Sequence, residues 1–146
     1  MSMTQFLFAF RGRLNRKPYW MTVIATMAII VLLLLLALSM IREHRFEFAA
    51  FTVVILLILY IPLVWIGLAI SAKRLHDRDK SAWWLLVFYV LPGILSSAGN
   101  QMEDVGFILL HIISFAISIW AFVELGCLRG TPGPNRYGPD PLSKPA

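Results

Sequence analysis

Between residues 19 and 41 the chain carries no charged side chain, and residues 32–36 are all leucine. As a helix rising 1.5 Å per residue, this run covers roughly 34 Å, against a bilayer hydrocarbon core of about 30 Å. A cleaved leader is the competing reading, since residues 11–17 are basic and Ala37, Leu38 and Ser39 offer small residues near a cut. Its apolar region would exceed the usual length of about 7 to 15 residues, so the run reads as an uncleaved first span.

The rest of the chain repeats the pattern. Of the 146 residues, 59% are hydrophobic and only 14% charged, where a water-soluble domain carries about 25% charged residues. Further spans are expected at 49–72, 83–97 and 105–128. The second contains Pro62, which removes a donor and crowds the carbonyl of Ile58, so a bend is expected there. The third is short and contains Pro92-Gly93, which reads as a break. The fourth carries His111 and Glu124. The lone Cys127 rules out an internal disulfide and reads as a small packing residue.

The basic residues fix an expected orientation. Arg11, Arg13, Arg16 and Lys17 precede the first span, and Arg42 and Arg45 follow it. Lys73, Arg74, Arg78 and Lys80 follow the second, none follows the third, and Arg129, Arg136 and Lys144 follow the fourth. By the positive-inside rule both termini are cytoplasmic. The net charge of +5 is then topological, and a nucleic-acid partner is not expected, because no soluble basic face is available for one. Ahead of the first span, Met3, Phe6, Leu7, Phe10 and Leu14 recur at helical spacing, which predicts an amphipathic segment on the headgroups, weakened at Gly12. The expected fold is a single all-α integral membrane domain, 1–146. It is a four-helix transmembrane bundle with an N-terminal interfacial amphipathic helix within 1–18 and an irregular C-terminal cytoplasmic loop, 129–146.

Three cytoplasmic segments carry the polar chemistry: FRGRLNRKPYW (10–20), AKRLHDRDKSAWW (72–84) and GTPGPNRYGPDP (130–141). The set resembles the DUF805 family of small bacterial inner-membrane proteins, with its GR-x-N-R-x-x-[YF]-W, R-x-H-D and N-R-Y-G-x-D-P elements. Here these fall on Gly12, Arg13, Asn15, Arg16, Tyr19 and Trp20; on Arg74, His76 and Asp77; and on Asn135, Arg136, Tyr137, Gly138, Asp140 and Pro141. The resemblance implies the fold and an inner-membrane location, and the family's biochemical role is unknown. The turn Arg78-Asp79-Lys80 departs from it, being more charged than the family's short neutral turn.

Arg74, His76 and Asp77 have two readings. In one, Arg74 holds an anion while Asp77 orients His76 for proton transfer. In the other they finish a helix, the cations facing its exposed carbonyls and Asp77 capping or pairing. Arg11, Arg13 and Arg16 read as a phosphate clamp or as lipid anchors, and Trp20, Trp83 and Trp84 as an aromatic belt. Glu124 lies near the depth of Lys73 and Arg74, so an ion pair with one of them is expected. One histidine and scattered carboxylates do not make a metal site of known spacing, and no cofactor motif is present.

The expected site is therefore one cytoplasmic cluster of Arg13, Asn15, Arg16, Arg74, His76, Asp77, Asn135, Arg136 and Tyr137. The favoured function is a non-enzymatic binding or assembly module for an anionic headgroup, nucleotide or protein partner, with anionic lipids, a second copy or an envelope protein as partners. A transporter or channel component is the alternative, and a lipid-phosphate enzyme using His76 and Asp77 is the third reading.

Overall fold

The computed structural model describes residues 2–42 and 46–143; Arg45 and Lys144, both counted in the charge pattern, lie outside them. The described residues form helices and no strand. After α1 (Met3–Phe8) come α2 (Arg16–Arg42) and α3 (Phe46–Asp77). A short apolar helix, Leu86–Gly99, opens with a π-helical turn, Leu86–Val90, and continues as α4 (Leu91–Gly99). The last helix is α5 (Asp104–Phe122), which widens into a second π-helical turn, Val123–Cys127.

Three of these helices are long and apolar enough to cross a membrane: Arg16–Arg42, Ala50–Asp77 and Asp104–Cys127. Leu86–Gly99 rises only about 21 Å. The expected break at Pro92-Gly93 does not occur. Pro92 is the second residue of α4, one residue beyond the π-helical turn, so its ring and missing N–H fall where the hydrogen-bond ladder changes register. Likewise α3 continues through Pro62 and runs five residues past the expected end of its span, to Asp77. The N-terminal segment is less helical than its periodicity suggests. A capping box between Ser2 and Gln5 starts α1, which stops at Phe8. Gly12, with φ +99°, then turns the chain so that Arg13 and Leu14 enter the interior.

The apolar helices pair as two hairpins that share one core. The antiparallel pair α2 and α3 makes one hairpin, and Leu86–Gly99 with α5 makes another. Contact between the hairpins involves the π-helical turn Val123–Cys127, against which both α2 and α3 pack. Leu14, Tyr19, Ile70, Leu75, Leu85, Phe88 and Leu125 fill the core at this end. Further along the helices large apolar side chains stay uncovered, as at Leu32, 67% exposed, and Ile61, 73% exposed. Lipid tails solvate such residues as well as another helix would, so apolar character alone does not close a bundle.

Where the hairpins meet, small residues permit close approach. A Cβ at Gly126 would lie 2.5 Å from Cζ2 of Trp20, whose Nε1 donates to the Gly126 carbonyl at 3.1 Å. Gly126→Ala is expected to lower the thermal midpoint of the detergent-purified protein, by an overpacking cost of about 1–3 kcal/mol. Gly93→Ala, with no neighbour within 4 Å, is expected to leave the midpoint unchanged or raise it, because helical glycine costs about 0.5–1 kcal/mol relative to alanine.

Candidate functional site

The three polar segments meet where the hairpins join. Asp77, at the last turn of α3, receives two guanidinium groups. Arg13 Nε lies 3.1 Å from its Oδ1, and Arg74 Nη1 lies 2.6 Å from its Oδ2. All three side chains are within 4% of full burial. The remaining donors of both arginines reach backbone carbonyls. Arg13 donates to Thr131 and Gly133, each at 2.6 Å, and Arg74 to Leu125 at 2.8 Å and also to Leu128.

The carbonyls after α5 are what these donors serve. A helix leaves its last four carbonyls without intrahelical partners. Here Leu125 and Leu128 accept from Arg74, Gly126 from Trp20, Cys127 from Arg16 Nη1 at 2.9 Å, and Arg129 from Arg78 at 2.7 Å. Five consecutive carbonyls, those of residues 125–129, are thus bonded by side chains from the first two segments. Cys127 itself is exposed, not a packing residue, because the π-helical turn rotates Glu124, Leu125 and Gly126 inward instead.

The C-terminal segment closes over the end of α3. Thr131 N donates to the Asp77 carbonyl at 2.8 Å, and Asn135 Nδ2 donates to the His76 carbonyl at 2.9 Å. Asn135 and Gly138 form a backbone bridge, and Tyr137 stacks on His76 at 3.9 Å between ring centroids, 7° from parallel. His76 Nδ1 lies 3.2 Å from the Gly12 carbonyl, which an N–H on that nitrogen satisfies. Gly130 passes so close that a Cβ would sit 2.0 Å from Asp77 Oδ2. Two backbone N–H groups, of Leu142 and Gly133, hold the Asp140 carboxyl below its ordinary range.

The expected ion pair of Glu124 with Lys73 or Arg74 does not form. Glu124 Oε1 lies 3.0 Å from Arg78 Nε and 3.1 Å from Lys80 Nζ. The reason is the turn after α3. Lys80 N bonds the Leu75 carbonyl and Asp79 N the His76 carbonyl, a Schellman closure with Asp79 at φ +56°. That turn swings Arg78 and Lys80 back toward α5, while Lys73 points the other way and donates to the carbonyls of Gln5 and Phe6 in α1.

Of the expected cluster, Arg13, Arg74, Asp77, His76, Asn135 and Tyr137 are in mutual contact through these bonds. Arg136 stands at the edge, exposed, 3.1 Å from Asp79. Asn15 and Arg16 instead line a cavity of about 190 Å³ with Arg74, Asp77, Arg129, Thr131 and Asp140. Sequence reasoning missed Thr131 and Arg129. Thr131 Oγ1 touches both the Asp77 carbonyl and Asn135, and nothing but its place next to a glycine-rich turn could have marked it. Among the described residues no group of three His, Cys, Asp or Glu stands together for a metal.

Asp77→Asn leaves two buried guanidinium groups without a counter-charge, and is expected to destabilise the protein by about 3–5 kcal/mol. Arg74→Lys keeps the charge but loses the planar fork that reaches Asp77 and two carbonyls at once. It too is expected to lower the thermal midpoint and the membrane abundance, whereas Arg42→Lys, exposed at the far end of α2, is expected to change neither. Melting curves in detergent and quantitative immunoblots of membranes check all three.

Comparison with known proteins agrees over nearly the whole chain. The family model described as "Protein of unknown function (DUF805)" matches residues 7–139. The chain is 29% identical over 136 residues to inner membrane protein YhaH of Escherichia coli (strain K12), covering 93% of this chain and 89% of that protein. It is 32% identical over 143 residues to uncharacterized protein YiiR of the same organism, covering 96% and 90%. Against inner membrane protein YhaI, also from that strain, it is 30% identical over 134 residues, covering 90% and 85%. No solved structure matches. With its long apolar helices, the first two polar segments and all but the last two residues of the third inside or overlapping the matched region, the chain is a membrane protein that belongs to the DUF805 family.

Proposed function

We propose that this protein is a non-enzymatic binding and assembly module of the bacterial inner membrane, one domain over 1–146, with both termini in the cytoplasm. Its polar end is a static platform that presents basic side chains to an anionic partner, foremost the headgroups of anionic lipids. The observation that carries this reading is the sharing of Asp77 between Arg13 and Arg74. Both oxygens of that carboxylate are taken by guanidinium donors, so Asp77 holds the junction together and does not orient His76. His76, with Nδ1 directed at a carbonyl and its ring against Tyr137, is placed as a packing element rather than as an acid or base. The lipid-phosphate enzyme therefore loses its two proposed catalytic groups.

What remains available is the basic rim. Arg11, Arg16, Lys17, Arg129 and Arg136 are exposed around the platform, at the end where α2 begins and α3 ends. Short α1, pinned through Lys73 and through Trp65 Nε1 to the Phe8 carbonyl at 3.1 Å, supports an interfacial role for the N-terminal segment, with Met3 and Phe8 uncovered. The turns of the C-terminal segment support a cytoplasmic cap. The transporter reading has no comparable support, since Glu124, its candidate intramembrane charge, is closed off by Arg78 and Lys80.

Reporter fusions after Lys17, Glu47, Lys80, Glu103 and Lys144 are expected to read in, out, in, out, in; a periplasmic reading after Lys80 or Lys144 would remove the proposed orientation. Native mass spectrometry of the gently extracted protein is expected to show retained anionic phospholipid. Recovery of the bare chain alone, under conditions that preserve lipids on other membrane proteins, would sink the binding reading.

A further inference from the structure

We infer that the cavity between the start of α2 and residues 129–132 is a site for one phosphate group, gripped by Arg16 and Arg129; this deepens the binding reading above and rests on it. The charges lining the cavity are three arginines, at 16, 74 and 129, and two aspartates, at 77 and 140. Both aspartates face donors of their own: Asp77 faces Arg13 and Arg74, and Asp140 faces two backbone N–H groups. Arg74 is likewise committed to Asp77 and to carbonyls. The guanidinium donors left over belong to Arg16, with only Nη1 bonded, and to Arg129, whose charge acts on Asp140 but whose guanidinium has no hydrogen-bond partner among the described residues. Two guanidinium forks at one cavity match the oxygens of a phosphate, to which each can donate through two parallel bonds.

A second, independent observation points the same way. Asn15 Oδ1 is buried and has no hydrogen-bond partner, although buried side-chain polar atoms are nearly always bonded. Asn15 lines the same cavity. With its oxygen inward it accepts a hydrogen bond from a headgroup hydroxyl or ammonium; turned over, its amide nitrogen becomes a further donor to the phosphate. Either orientation leaves a polar atom turned to a partner that the described residues do not supply, a position that a ligand or an ordered water fills. The residue stands directly before α2, and its carbonyl accepts from Tyr19 N, so the first N–H groups of a long helix open on this region and favour negative charge.

Volume decides the size of the ligand. About 190 Å³ is less than the roughly 300–1,000 Å³ that encloses a drug-sized molecule, so a phosphate with a short ester arm fits and a nucleoside does not. Depth favours a lipid as its source. Arg16 is the first residue of a helix long enough to span a membrane, and Trp20, one turn on, lies where interfacial tryptophans belong.

The test uses the full chain in detergent, titrated with phosphatidylglycerol, with diacylglycerol lacking the phosphate, and with inorganic phosphate, each read by native mass spectrometry and thermal shift. Phosphatidylglycerol is expected to bind and diacylglycerol not to. Arg129→Gln and Asn15→Asp are each expected to weaken binding by about tenfold, as the loss of a charge-assisted contact or the gain of a facing carboxylate implies, and Arg42→Gln to leave it unchanged. Aspartate suits a helix start as well as asparagine does, so Asn15→Asp keeps the fold while opposing an anion. Inorganic phosphate displacing phosphatidylglycerol at matched concentration would support the site and assign it to the free ion; failure to displace assigns it to the lipid. Equal binding of phosphatidylglycerol by the wild type and both variants overturns this site and leaves headgroup binding elsewhere on the rim intact, whereas binding of neither phosphate species by the wild type overturns both readings.

Discussion

The Asp77 carboxylate is the constraint from which the polar end of this protein follows. One negative charge is buried with two positive ones, Arg13 and Arg74. Burying an ion costs several kcal/mol that only good geometry and further hydrogen bonds offset. The excess positive charge is met by backbone oxygens: Leu125 and Leu128 for Arg74, Thr131 and Gly133 for Arg13. Carbonyls at a helix C-terminus carry partial negative charge, so the end of α5 acts as the missing counter-ion. The same bonds relieve carbonyls that have no helical partner. Segments more than 100 residues apart in the chain are thereby held by one network.

Such a network is needed because the apolar helices do not provide closure of their own. In lipid, association comes from close packing of small residues and from polar bonds, since there is no hydrophobic force between helices. Polar bonds of this kind are concentrated where α2, α3 and the Val123–Cys127 turn meet. The second hairpin adds its own, with Ser114 Oγ donating to the Pro92 carbonyl and lying 2.9 Å from Ser96 Oγ. Between the hairpins Ser71 Oγ lies 2.9 Å from the Tyr89 hydroxyl; farther from the basic end no side-chain hydrogen bond links them among the described residues. The π-helical turn matters for the same reason. It presents Glu124, Leu125 and Gly126 together on the inner face, giving α3 a carboxylate and α2 a glycine to dock against.

Much of the architecture was legible in the sequence because membrane helices follow a rule of composition. Charge-free runs gave the spans within a few residues, and the three polar segments could be picked out as belonging together. What was not legible depends on backbone register. Glu124 and Lys73 lie at similar depth, so a pairing between them was reasonable. Depth does not say which way a side chain points, and the left-handed residue Asp79 decides that by returning Arg78 and Lys80 to α5. Pro92 looked like a break because a π-helical turn leaves no mark in hydrophobic periodicity. For Arg13 and Arg74 a binding and a structural reading both stood, because the pattern of a motif does not distinguish an arginine facing solvent from one facing carbonyls of its own chain.

The stretch KRLHDRDK shows why topology alone is an incomplete account of a charged loop. The positive-inside rule counts its four cations as equivalent, yet each does different work. Lys73 holds the carbonyls at the end of α1. Arg74 bonds the end of α5 and Asp77. Arg78 and Lys80 neutralise Glu124, with Lys80 also lying 5.3 Å and 5.8 Å from the ring centroids of Trp84 and Trp120, where its charge is attracted to the ring faces. These directions alternate because α3 is still helical through Asp77, so Lys73 and Arg74 are separated by about 100° around its axis, and because the turn that follows reverses the chain. Moving the same four charges by one position would satisfy the charge rule and leave buried carbonyls, a carboxylate and two guanidinium groups without partners. The order of residues in this loop is therefore set by the junction it builds.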